Sequence, residues 1–161
     1  MTELIDGNEY RKILGKYPTG VTLVTSLSPE GPQAMVIGSF VSVSLDPPLV
    51  GFLPGKDSST WQKMKDENKF CVNVLSDQQE NVANEFFRKE NNPWEVISWH
   101  ESKEGLPAID NSLASIDCSV FKVLEAGDHW FVMGEVLGAE IIETGSPLLF
   151  LGGSYGKYRS N

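Results

Sequence analysis

A mainly β fold, an antiparallel barrel with a few short helices, is what this sequence predicts, on three observations. Runs of β-branched and apolar residues recur along the chain, joined by turn clusters of the hairpin kind. Helical patterns are few and short, so strands do not alternate with crossover helices as a doubly wound sheet requires. No Gly-x-Gly-x-x-Gly stands between a strand and a helix, which excludes a Rossmann nicotinamide domain.

The opening helix is expected over residues 8–16 and ends at Tyr17-Pro18, because the residue before proline is pushed out of the helical region. Strands follow at 21–27 and 33–45, with Ser28-Pro29-Glu30-Gly31-Pro32 turning between them. From Phe40 to Leu45 apolar and hydroxyl side chains alternate, the pattern of a strand with one greasy and one polar face. Asp46-Pro47-Pro48 stops that ladder, since proline has no N–H to give, and 49–53 resumes as a second apolar run. A sharply turned pair of this kind makes a wall for a flat, hydrogen-bonding ligand, although by itself it reads equally as a hairpin with serines facing water.

A helix over 58–67 carries Trp61, Met64 and Lys65 on neighbouring turns, and a strand is expected at 69–75. Ser76-Asp77-Gln78-Gln79 has capping-box spacing with Ser76 as N-cap, and Val82, Ala83, Phe86 and Phe87 form the apolar stripe of the helix behind it. Residues 91–111, with their prolines, glycine and charges, read as an irregular excursion. Strands at 115–124, 130–142 and 148–151 complete the chain, the first two joined at Glu125-Ala126-Gly127-Asp128. Gly134 and Gly138 inside a strand pattern point to a bulge or sharp bend.

With 161 residues the length is that of a single domain, 1–161. A net charge of −9 argues against nucleic acid or an anionic membrane as partner, because both reward clustered Lys and Arg. Cys71 and Cys118 lie far apart, each in an apolar run; with two histidines they form no metal-ligand set and read as buried, reduced thiols. The segment from Met1 to Glu9 is acidic where a signal peptide is basic and then apolar, so a cytoplasmic location is expected.

Five segments, in this order and spacing, carry a resemblance. They are Tyr17-Pro-Thr-Gly-Val-Thr-Leu-Val-Thr25, Ser39-Phe-Val-Ser-Val-Ser-Leu-Asp-Pro-Pro-Leu-Val50, Phe70-Cys-Val-Asn-Val-Leu75, Gly127-Asp-His-Trp-Phe-Val-Met-Gly-Glu-Val136 and Pro147-Leu-Leu-Phe-Leu-Gly-Gly-Ser-Tyr155. Together they resemble the flavin reductase-like family, over nearly the whole chain. The resemblance implies a split β-barrel that binds FMN or FAD, uses NADH or NADPH, forms a homodimer and supplies reduced flavin to a separate flavin-dependent monooxygenase. Other readings on this fold are an FMN-dependent oxidoreductase with its own small substrate, or a non-catalytic flavin- or haem-binding module.

Candidate site residues follow. Gly55-Lys-Asp-Ser-Ser-Thr60 leaves a strand and opens a helix, so Lys56, Ser58, Ser59 and Thr60 with local N–H groups are expected to hold the flavin phosphate, against the plainer reading of a helix cap. The resemblance places Met35, Val36, Ile37, Gly38 and Ser39 against the isoalloxazine ring, with Val36 and Gly38 departing from the Thr and the Asn or Ser that many relatives carry. Asn73 interrupts an apolar strand, so its amide either ties down a loop or meets the ligand. His129 follows a hairpin turn; the resemblance places it beside the nicotinamide, as the positioning residue for hydride transfer. Tyr155 belongs to the C-terminal motif, in which Gly156 replaces the histidine of many relatives.

Overall fold

The computed structural model describes residues 4–88 and 90–161. Met1, Thr2 and Glu3, the start of the acidic segment read above, lie outside the described residues, as does Lys89. In chain order the elements are α1 (Gly7–Leu14), β1 (Thr19–Gly20), β2 (Thr22–Ser28), β3 (Gly31–Ile37), β4 (Val41–Ser44), β5 (Leu49–Phe52), α2 (Ser59–Met64), β6 (Lys69–Val74), α3 (Glu80–Arg88), β7 (Trp99–Glu101), β8 (Pro107–Ile109), β9 (Ala114–Ala126), β10 (His129–Ile141), β11 (Leu148–Leu151) and β12 (Ser154–Lys157). A 3₁₀ turn covers Pro93–Glu95. Every strand pairing is antiparallel, as the hairpin turns predict.

Seven strands form the main sheet in the order β3-β2-β6-β9-β10-β5-β4, and β1-β11-β12 and β7-β8 form smaller sheets. The 13-residue strands β9 and β10 are its longest pair. Their register shifts at Met133/Gly134 and at Val136/Gly138, so both expected glycine irregularities occur. Gly134 answers a steric need: a Cβ there would lie 2.3 Å from the Phe70 ring and 2.9 Å from Cys118 Cβ.

Two apolar clusters hold the sheet together. One gathers Val24, Phe52, Trp61, Met64, Phe70, Val72 and Val132, with Phe52 edge-on to Phe70 at 5.1 Å. The other gathers Leu23, Leu75, Val82, Ala83, Phe86, Ile109 and Leu148 beneath α3. Each fully buried large side chain contributes about 1.5–3 kcal/mol. Cys71 and Cys118 are free and buried. Burial first, and the Asp117 carboxylate second, push both thiols up, Cys118 to about 12.

Several local expectations are corrected. The strand expected over 33–45 is broken after Ile37: β3 pairs with β2, β4 pairs with β5, and the chain must leave one ladder to join the other. Ser39 fixes that exit, its Oγ accepting the Leu53 N–H at 3.0 Å. β4 has no buried face; as the terminal strand of the sheet it exposes Val41 and Val43. α3 begins at Glu80, so Ser76 does not cap it. The Gln79 side chain still reaches back to the Ser76 N–H at 3.0 Å, closing a turn ahead of the helix. Within 91–111 lie the 3₁₀ turn and the β7-β8 hairpin, braced by Asp110, which accepts from Ser98 Oγ and from His100 Nδ1.

Candidate active site

A cleft of about 890 Å³ opens where four segments meet: the end of β3, the exit of β5, the β9–β10 turn and α1. Three hydrogen bonds stitch the first three together. Besides Leu53 to Ser39, the Lys56 N–H donates to Asp128 O and the Trp130 N–H donates to Pro54 O, both at 2.9 Å. Gly127 takes φ 65° at the first position of the two-residue loop between β9 and β10, where glycine carries no steric penalty. α1 starts from Asp6, whose carboxylate accepts the N–H groups of Asn8 and Glu9. That helix buries no side chain, and Gly7, Tyr10 and Arg11 face the cleft.

Met35, Val36, Ile37, Gly38 and Ser39 line this cleft together with Ser58 and His129. Met35 and Ile37 are buried in one core cluster and Val36 leans on the other, so what these three offer a ligand is main chain. β3 is an edge strand of the main sheet, and among the described residues the outer row of its N–H and C=O groups has no neighbouring strand. A Cβ on Gly38 would approach Thr19 Oγ1 at 3.0 Å, so the bare glycine leaves room for Thr19 at the point where the chain turns.

The expected phosphate group is divided. Ser58 lines the cleft while its Oγ accepts the Trp61 N–H at 3.2 Å as N-cap of α2. Lys56 lines neither this cleft nor the second cavity; its Nζ lies 2.5 Å from Glu125 and 4.9 Å from the Trp130 ring centre. Ser59 and the buried Thr60 line a second cavity of about 420 Å³. α2 spans six residues, shorter than expected, so it offers side chains and local N–H groups rather than a long helix dipole.

Two predicted residues lie elsewhere. Asn73 is fully buried, and its amide is taken up by Leu23 O, Thr25 Oγ1 and the Ile109 N–H. Tyr155 packs on Phe150 at 5.4 Å in the small sheet, where burial, followed by the Glu80 charge, raises its phenol.

His129 is 46% exposed, and its Nδ1 donates to Asp128 Oδ1 at 2.7 Å. That bond, followed by the charge of His129 and more weakly that of Arg11, holds the Asp128 carboxyl below its usual range. Thus Arg11 and His129 line the cleft, in a chain whose net charge is −9. Tyr10, Arg11, Pro54 and Asp128 were not among the predicted site residues. The available signal was the opening helix, whose apolar Tyr10, Ile13 and Leu14 find no core.

Comparison with known proteins gives a consistent answer. Residues 14–159 match the family described as flavin reductase like domain. The chain is 45% identical over 155 residues to a flavin reductase of Pseudomonas putida, covering 96% of this chain and 91% of that one. A crystal structure of nitrilotriacetate monooxygenase component B from Mycobacterium thermoresistibile superposes with a TM-score of 0.91 at 39% identity, covering 94% of this chain and 86% of that one. The NADH:FAD oxidoreductase of Streptomyces globisporus C-1027, solved with NAD and FAD fragments, gives 0.89 at 34% identity and 98% coverage of each chain.

Proposed function

This chain belongs to the flavin reductase-like family, and on that premise we propose that the cleft beside β3 is where it binds flavin. It is an NAD(P)H-dependent flavin reductase that transfers hydride to FMN or FAD and supplies reduced flavin to a separate monooxygenase. The observation that carries the site is the edge strand β3, whose end lines the 890 Å³ cleft together with His129. A wall that mixes main-chain groups, apolar surface and a few polar side chains suits a cofactor, and the volume falls within the usual range of about 300–1,000 Å³.

Met35 to Ser39 hold the ring edge through main chain, with Leu53 and Pro54 beside them in the wall. Ser58 and Arg11 serve the anionic end. Flavin supplies the redox chemistry when bound, taking hydride directly from the nicotinamide, so no side-chain nucleophile is required. His129, held through Nδ1 against Asp128, has Nε2 left to orient the nicotinamide amide. The site does not extend to Asn73 or Tyr155, which serve packing.

The protein works as one domain and as a homodimer. The exposed Val41 and Val43 of the terminal strand β4 are the apolar surface that supports assembly. A cytoplasmic location is supported by the two free thiols. The decisive experiment mixes protein, NADH and excess FMN or FAD without oxygen and follows both absorption bands. Flavin and nicotinamide bands should fall together; an unchanged nicotinamide band with both flavins, and with NADPH in place of NADH, overturns the reading.

A further inference from the structure

We propose that a cavity between the start of β9, the end of β10 and the β7–β8 hairpin binds a small organic cation, an alkylammonium ion, with the Asp117 carboxylate as its partner. The cavity measures about 220 Å³ and shares no lining residue with the flavin cleft. Strand register explains how it arises. Cys71, Asp117 and Gly138 stand in one row across β6, β9 and β10, and Asn73, Ser115 and Glu140 form the next row on the same face. β8 covers the β2–β6 part of that face: Thr25 Oγ1 donates to Pro107 O, and Asn73 Oδ1 accepts the Ile109 N–H. Over β9 and β10 the face stays open, and Lys103 and Glu104 of the hairpin join its lining.

Two observations point to a ligand. Asp117 is 7% exposed, and its buried Oδ1 accepts no hydrogen bond among the described residues. A carboxylate oxygen buried without a donor is destabilising, and a bound cation removes that penalty. The Cys71 thiol across the pairing is a weak donor, held protonated by burial first and by this carboxylate second. Lys69, the cation on β6, is paired with Glu104 at 2.6 Å, and Lys103 is exposed. The second observation is space. Gly138 stands opposite Asp117, and a Cβ there would meet nothing within 4 Å, in contrast to Gly134. The lining then selects the class of cation. Among the described residues no group of three or more His, Cys, Asp and Glu is placed to hold a metal ion. A water's share of liquid volume is about 30 Å³, so one small ion would leave most of the cavity unfilled. Leu137 and Ala139 offer apolar surface to a carbon stem, Ser115 a hydroxyl, and Glu104 and Glu140 further negative charge.

Calorimetric titration of the full chain with n-butylammonium chloride tests this, with potassium chloride as the control for charge and n-butanol as the control for the stem. The wild type should bind one equivalent of butylammonium saturably at millimolar concentration, and neither control should bind. Asp117→Asn should weaken binding roughly tenfold or more, the scale of one charge-assisted hydrogen bond. If that variant melts early, Gly138→Leu decides, because the space at 138 is open: it should keep the wild-type melt and weaken binding to the same degree. No saturable heat in the wild type overturns the proposal. So does potassium or n-butanol binding as well as butylammonium, or an affinity unchanged in a variant that folds.

Discussion

Replacing Gly134 by alanine should destabilise the protein far more than one methyl group suggests. Gly134 lies on β10 opposite Val120 of β9, and its φ is not positive, so backbone freedom is not the issue. The built Cβ meets Phe70 Cζ at 2.3 Å and Cε1 at 2.7 Å, against an optimum of about 3.5–4.0 Å for carbon pairs. Phe70 has little room to yield, being 3% exposed and set edge-on to Phe52. Cys118 Cβ at 2.9 Å blocks the other side and moves only with the backbone of β9. Overpacking of this kind costs about 2–3 kcal/mol. In a chain of 161 residues that corresponds to a fall in Tm of about 4–12 °C. Calorimetric melts of Gly134→Ala, Phe70→Leu and the double variant provide the test. The smaller side chain should relieve the clash, so the double variant should be more stable than the sum of the single costs by about 1 kcal/mol or more. Strict additivity, or a Tm for Gly134→Ala within about 1 °C of wild type, would refute the steric reasoning.

His129→Ala should leave flavin affinity and Tm nearly unchanged and slow the bleaching of bound flavin by NADH roughly 100-fold, since misplacement by about an ångström costs that much; stopped-flow mixing beside a melt separates this from a turn-capping role. Ser58→Ala should weaken FMN more than riboflavin, which lacks the phosphate, and equal weakening would move the anion site elsewhere. Asp110 is held below its ordinary value near 3.8 by its bonds from Ser98 and His100. Its contribution to stability is therefore present above that value and lost as pH falls through the lower folded value, so Asp110→Asn should flatten the acid limb of a Tm–pH profile below about pH 4. Light scattering at micromolar concentration should give the mass of a dimer, and charged substitutions at Val41 and Val43 should shift it toward monomer.

The long strands were legible because their periodicity is carried by many residues. β2, β6, β9 and β10 each bury a run or a face that only one register satisfies. The short ones were not. β12 offers Ser154-Tyr-Gly-Lys157, too brief for alternation, and β7 and β8 have three residues each beside charges and prolines; what makes them strands is a partner distant in sequence. Phe40 to Leu45 alternated convincingly, yet β4 lies at the edge with both faces open, because alternation cannot tell a core from a surface supplied elsewhere. The site divides in the same way. Met35 to Ser39 are contiguous and were readable as a block, whereas Tyr10 and Arg11 come from the start of the chain and owe their place to how α1 settles on the turns. Ser58 and Ser59 are neighbours in sequence and end in different cavities, a division set by the helical turn they begin.

The two buried thiols bear on how long such an enzyme survives its own product. Reduced flavin released into air generates peroxide, and the protein nearest the source meets it first. Oxidation of cysteine begins from the thiolate, and burial, followed by the Asp117 charge, raises Cys118 to about 12, which disfavours that form at neutral pH. Cys71 is pushed higher still. Both side chains are closed to solvent, Cys71 between β2 and β9 and Cys118 under Gly134. The sheet thus acts as a chemical shield. Oxidative wear should fall first on exposed side chains around the cleft, leaving the interior of the barrel intact while turnover declines.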